Sequence, residues 1–311
     1  MRILQSQTPR PLDLLAIGAR GHVTAGCSAL EHGGGFEVWD ISPGEVPRIA
    51  SPNLVKVSSV AFTHNGEELL FGDLIEITVQ TLATGLSRAG PVAEYGNPEF
   101  ARCPDGDQLL VAEFDLKIMS IDLLSFWMML GDRNYQQLWK DGPYQWKVFK
   151  TPAVGPSAKR VAVSVREGHD HPRQSIQVRD GGTGKVLHDI PHDAADPVQQ
   201  LVFTADGTKL LARFLDHTVK VFDVATGQPA GELVHPRRSF VTGLAVHPDG
   251  KAIATSRNDG KVWFWDPMTF RPLTTFDWKL GKLVSVAFAP DGSIAAAGTE
   301  DGQVVVWDVD L

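Results

Sequence analysis

The stretch "FAPDGSIAAAGTEDGQVVVWDVDL", residues 288–311, decides the fold. It opens on an apolar run that meets Asp291 and Gly292, a pair suited to a tight hairpin turn because glycine accepts a positive φ at no steric cost. A line of small residues follows, then a second turn at Asp301 and Gly302, then Val304, Val305, Val306 and Trp307. Branched and aromatic side chains pack well on a pleated surface, so this last run reads as a β-strand buried on both faces. Its open side needs a neighbour, because an unpaired edge invites aggregation.

Both signals recur upstream. The turn returns as FTHNG (62–66), RCPDG (102–106), FTADG (203–207) and VHPDG (246–250), each between apolar runs. The strand end returns as FEVWD (36–40), KIMSID (117–122), IQVRD (176–180), VKVFD (219–223) and VWFWD (262–266). ITVQTLATG aligns through Ala-Thr-Gly with KVFDVATG, which puts Thr81 at the marker position of one more unit. The markers at 40, 81, 122, 180, 223, 266 and 308 are thus 41, 41, 58, 43, 43 and 42 residues apart.

A period near 42 with four short strands per unit is the signature of a β-propeller. The Trp-Asp pairs at Trp39, Trp265 and Trp307 resemble those of the WD40 repeat family, and the resemblance runs through essentially the whole chain. The expected fold is therefore all-β, one seven-bladed β-propeller domain over residues 1–311. The seventh unit lacks a fourth strand, whereas RILQSQT (2–8) precedes the first blade with no place in it. The resemblance implies that residues 2–8 pair with the strand holding Val304 to Trp307, close the ring and complete the domain.

Composition narrows the function. A net charge of −8 gives no general positive field for nucleic acid or an anionic membrane, so neither is an expected partner. Two cysteines, Cys27 and Cys103, make no disulfide framework and point to a reducing compartment. No stretch approaches the roughly 20 apolar residues of a spanning helix, and MRILQSQTPRP lacks a secretory apolar region. The expectation is a cytoplasmic monomer without a cofactor.

Departures from the repeat mark the candidate surface. Turn Gly to marker is 16 residues in the units ending at 122, 223, 266 and 308, but 19 from Gly21 to Asp40 and 21 from Lys159 to Asp180. About eleven further residues surround GDRNYQQLWKDGPYQW (131–146). All three excesses are expected to project from one end of the propeller, and loops held by a rigid scaffold are where function concentrates. Six aromatics, Phe126, Trp127, Tyr135, Trp139, Tyr144 and Trp146, lie in or just before that third stretch. They exceed what a monomer leaves bare, so either they dock as a lid on blades three and four or Tyr135 and Trp139 anchor a partner.

His169 and His171 stand in the blade-four excess, and Arg237 and Arg238 in the basic loop HPRRS (235–239), suited to an acidic segment. His-x-His alone supplies too few ligands for zinc, so no metal site is expected. RDGGTGK (179–185) departs from a phosphate loop, with Arg179 and Val186 at two of its required positions, and reads as a turn.

The WD40 resemblance implies structural roles for a further set. His192 and His235 precede first-strand valines by six residues, where a histidine of the family hydrogen-bonds through Ser or Thr and Asp to the tryptophan. Asp115, Asp216, Asp259 and Asp301, each seven residues before a marker, match the family's turn aspartate; with Trp39, Trp265 and Trp307 they are assigned to stability. The functional expectation is a non-catalytic scaffold binding a protein or peptide on the loop-insertion end through Tyr135, Trp139, His169, His171, Arg237 and Arg238. Its rival is a propeller enzyme of lactonase or hydrolase type with a metal in the axial funnel, since this fold hosts both.

Overall fold

A computed structural model describes all residues except 8–9, 28–34, 42–47, 51–56, 74–75, 92–97, 107, 115–120, 131–133, 146, 170–171, 194, 236–238 and 311, with backbone alone at 27, 48–50, 114, 121–122, 129–130, 134 and 145. Strand β1 (Arg2–Gln5) comes first. Blade one holds β2 (Leu14–Ile17), β3 (His22–Cys27), β4 (Gly35–Asp40) and β5 (Arg48–Ala50). Blade two holds β6 (Ser59–Phe62), β7 (Glu68–Gly72), β8 (Ile77–Thr81) and β9 (Ser87–Ala89). Blade three holds β10 (Glu99–Arg102), β11 (Gln108–Phe114), β12 (Ile121–Leu130) and β13 (Asn134–Gln145). Blade four holds β14 (Lys147–Val154), β15 (Arg160–Glu167), β16 (Arg173–Asp180) and β17 (Val186–His192). Blade five holds β18 (Val198–Phe203), β19 (Lys209–Phe214), β20 (Val219–Asp223) and β21 (Pro229–Glu232). Blade six holds β22 (Val241–Val246), β23 (Ile253–Arg257), β24 (Lys261–Trp265) and β25 (Pro272–Asp277). Blade seven holds β26 (Leu283–Phe288), β27 (Ile294–Thr299) and β28 (Gln303–Asp308).

The ring closes as the sequence requires. β1 lies antiparallel to β28 with Arg2 opposite Val306 and Gln5 opposite Gln303, so the seventh sheet also has four strands. Leu4 is buried among Val304, Val306 and Leu12. Past β1, Ser6 donates its N–H to the Gly302 carbonyl (2.8 Å) and its hydroxyl to buried Glu37 (2.9 Å), which fastens the entering chain to blades seven and one.

Middle strands are buried on both faces and outer strands are not. Ile253–Arg257 is buried throughout, whereas Pro272–Asp277 of the same blade is exposed along almost its whole length. Small residues occupy the second strands because neighbouring backbones come close: a Cβ on Gly298 would stand 2.5 Å from the Leu12 carbonyl oxygen. The repeated markers have a local cause as well. Oδ1 of Asp180, Asp223 and Asp266 accepts the N–H and hydroxyl of the threonine three residues on, closing the turn into the outer strand.

Blade three departs from the sequence expectation. The register pairs Lys209 with Asp223, Ile294 with Asp308 and Arg160 with Asp180, and the equivalent pair in blade three is Gln108 with Met128. The strand end is therefore Met128 rather than Asp122, which pairs with Phe114 at the opposite end of β12. Apolar burial overrode the regular spacing: Leu123, Leu124 and Phe126 extend the third strand to ten residues. Trp127 thereby takes the position of Trp265 and Trp307. Asp115, chosen by its distance from Asp122, loses that alignment and lies outside the described residues.

The stretch 131–146 is correspondingly not a loop insertion. Most of it forms β13, the twelve-residue outer strand of blade three, with irregularities in its pairing to β12. Its connection to β12 lies at the end of the propeller opposite the other two excesses. Cys103 stands just beyond β10; its thiol donates to Asp105 (3.1 Å), and burial pushes its pKa up to about 11.

Candidate partner-binding end of the propeller

Two ends differ in what they display. The first-to-second and third-to-fourth strand turns occupy the turn end. The second-to-third connections and the crossings between blades occupy the loop end, which carries His169, Leu215, Val234 and Phe240.

Two of the blade-three aromatics, Tyr135 and Trp139, are engaged at the seams between blades, whereas Tyr144 is exposed. Tyr135 is half-buried against Leu70 and Ile77 of blade two, and Arg88 donates to its hydroxyl (2.6 Å) while pairing with Glu68 (2.8 Å). Trp139 faces the other way: its ring packs on Phe126, and its Nε1–H donates to the Gly181 carbonyl of blade four (2.7 Å). Gly184, with φ at 70°, leaves room for that indole, since a Cβ there would come within 2.6 Å of the ring. Beside it Asp141 pairs with Arg179 (2.7 Å), whose side chain is 2% exposed. Burial raises the Asp141 pKa, but bonds from Tyr144 and Arg179 outweigh it and hold the carboxyl below its ordinary range.

These residues do not join the others proposed from sequence. His169 is exposed at the loop end of blade four, and His171, Arg237 and Arg238 lie outside the described residues. Sequence reading missed the apolar side chains flanking the basic loop. Leu215, Val234 and Phe240 are 49%, 72% and 47% exposed, all at the loop end of blades five and six. The His217 ring stacks on Phe240 (4.5 Å) and bonds the Val241 carbonyl (3.2 Å), so the two blades meet there. The signal was present in FLDHT and LVHPRRSFV: bulky apolar residues in turns where polar ones suffice.

Beneath that surface lies a buried layer around His235. Its ring meets the edge of Trp265 (4.6 Å), and Trp263 stacks on Trp265 (5.6 Å). Arg257, 2% exposed, lies over Trp263 (4.8 Å) and pairs with Asp259 (3.1 Å). Of the relay that the WD40 resemblance implied, only the last link forms: Trp265 donates to Thr255 (2.9 Å), while neither His235 nitrogen has a hydrogen-bond partner among the described residues. Burial, reinforced by Arg257, lowers the His235 pKa to about 4 and keeps the imidazole neutral. His192 packs edge-on against Phe214 (5.3 Å), Asp216 caps its turn by accepting from Thr218 (2.9 Å), and Asp301 is exposed. Trp39, Trp265 and Trp307 are buried.

The turn end of blades four to six holds a groove of about 1500 Å³. Its wall includes the ion pairs Arg160–Asp180 and Lys209–Asp223, so those charges are already matched. Among the described residues, no three His, Cys, Asp or Glu side chains gather as they would around a metal ion, and no helix is long and apolar enough to cross a membrane.

The WD domain, G-beta repeat, matches the chain at residues 227–266 and 270–308, and the seven four-stranded sheets extend that pattern around the ring. The chain is a seven-bladed β-propeller with WD repeats at those residues. Among curated proteins, the chain is similar to the "Periodic tryptophan protein 2 homolog" of Schizosaccharomyces pombe, at 31% identity over 119 residues. That match spans 38% of the chain and 13% of the relative. It is similar also to "Periodic tryptophan protein 2" of Arabidopsis thaliana, at 27% identity over 162 residues, 52% of the chain and 16% of the relative. The likeness therefore covers only a small part of either relative's length.

Proposed function

We propose that this propeller is a non-catalytic interaction scaffold that binds an acidic, apolar-bearing peptide or protein segment at its loop end. One observation carries the reading: Leu215, Val234 and Phe240 are held open to solvent on two adjacent blades, around a loop whose sequence is His235-Pro236-Arg237-Arg238. Apolar anchors supply most of the energy of such contacts, and rim charges set orientation and on-rate. His169 extends the same end into blade four, and His171 stays in the contact set from its place in the sequence. Tyr135 and Trp139 leave the contact set, since their ring faces and polar atoms serve the blade seams. A reducing compartment suits the reading, because Cys103 is free and buried.

The test is fluorescence polarisation with a labelled peptide library rich in Asp, Glu, Leu and Phe. Binders should lose at least tenfold in affinity on V234S plus F240S, and on R237E plus R238E, with the thermal melt unchanged. Binding that survives both pairs of changes removes the loop end as the site.

A further inference from the structure

The axial channel carries Asp13 and Glu99 on its wall together with one cation, Arg213, with which neither carboxylate forms an ion pair. First strands of all seven blades line a central cavity of about 330 Å³, within the range of small-ligand sites. Arg213, on β19 opposite Gln200, is the basic residue of its wall. Among the described residues no carboxylate pairs with it, and its Nε has no hydrogen-bond partner. Burial alone pulls its pKa down to about 10, which leaves it charged at neutral pH. A desolvated charge is expensive unless something neutralises it.

Irregularities of the first strands shape the surroundings. Pairing shifts at Val198/Gln200, Val241/Gly243, Leu283/Ser285 and Lys150/Ala153 put Gln199, Thr242, Val284, Thr151 and Pro152 on the channel wall in four consecutive blades. Such bulges re-aim side chains and leave a residue out of the ladder. Gln199 is exposed on the channel wall, and among the described residues its amide has no hydrogen-bond partner. The other polar groups are occupied: Glu99 accepts from the Thr151 N–H (2.9 Å), Gln200 bonds the Leu244 backbone twice (2.7 and 3.0 Å), and Ser285 donates to the Leu12 carbonyl (2.5 Å). Asp13 also has an interaction partner. Free capacity at blade five thus consists of the guanidinium and an amide, both able to donate.

We propose that Arg213, with Gln199, binds an oxyanion in the axial channel, either a carboxylate or a phosphate group. A guanidinium presents parallel donors that match both groups. The site is separate from the loop-end surface, and the fate of either does not decide the other.

Calorimetric titration of the full chain with acetate and with inorganic phosphate, at constant ionic strength set by chloride, tests the site. One or both should bind the natural protein, and R213Q should weaken that binding at least tenfold while keeping the same circular dichroism. Acetate alone identifies a carboxylate ligand, phosphate alone a phosphorylated one. Should R213Q fail to fold, the Arg213 Nε–H resonance of the natural protein, assigned by its absence in R213K, should move on titration. No binding of either anion, undiminished binding by R213Q, or a stationary resonance overturns the proposal.

Discussion

Blades four and six fill one equivalent position with opposite chemistry. In blade six it is Trp265, fully buried, with its indole N–H donated to Thr255 of the same blade. In blade four it is Arg179, 1% exposed, held by Gln177 in its own blade (2.5 Å) and by Asp141 of the neighbouring outer strand (2.7 Å). Both are large and both end in a satisfied donor. What differs is where the acceptor comes from. A tryptophan makes its blade self-sufficient, whereas the arginine makes blade four depend on blade three, and the twelve-residue β13 is what brings Asp141 and Trp139 across the seam.

The largest expected effect tests the apolar side of that contrast. Removing residues 1–5 strips β1 from Val304–Val306 and uncovers Leu4's site, which should cost about 4 kcal/mol or more and cause association through the bared edge. Denaturant melts and light scattering measure both; an unchanged monomeric melt would mean that the seventh blade stands on three strands.

Next comes D141A, which leaves a guanidinium buried without its partner and should cost about 3–5 kcal/mol. The double change R179M plus D141L should recover most of that loss, because a packed apolar pair avoids the desolvation penalty. If D141A alone is near neutral, the dependence of blade four on blade three is refuted. Acid sharpens the point. The Asp141 pKa is lowered on folding, so its contribution is present above the ordinary carboxylate value and is lost as pH falls through the folded value.

Blade six should show its own pH response through His235. Its pKa falls from 6.5 unfolded to about 4 folded, so the folded state resists protonation. Stability is full above pH 6.5 and declines toward pH 4, by about 2 kcal/mol after solvent screening. H235F should flatten that part of the stability profile measured by urea melts at stepped pH. The smallest effect belongs to W139F, which keeps the ring near Gly184 but loses the bond to Gly181; about 1 kcal/mol is expected from equilibrium melts.

The repeat was legible because it is local. Each Asp-x-x-Thr turn and each glycine with φ near 70° is set by neighbours a few residues away, so the seven blades could be read from spacing, and the resemblance added their closure by the first strand. Blade three resisted because two local signals competed. KIMSID kept the period, yet the longer apolar run IDLLSFWMML won the strand and carried Trp127 to the motif position.

The candidate site divides in the same way. The basic loop and the blade-four histidines could be seen in sequence as excess length and charge. The engagement of Tyr135 by Arg88 joins residues 47 apart, and that of Trp139 by Gly181 residues 42 apart; no pattern in either segment names the other.

What the amino-acid order determined by itself was the number of blades and their turns, because hydrophobic periodicity and turn chemistry act over a few residues. Which aromatics are spent between blades, and that Arg213 faces an open channel with no carboxylate paired to it among the described residues, was decided only when the ring closed. Desolvation and pairing depend on what stands opposite in space, and the closed ring alone fixes that.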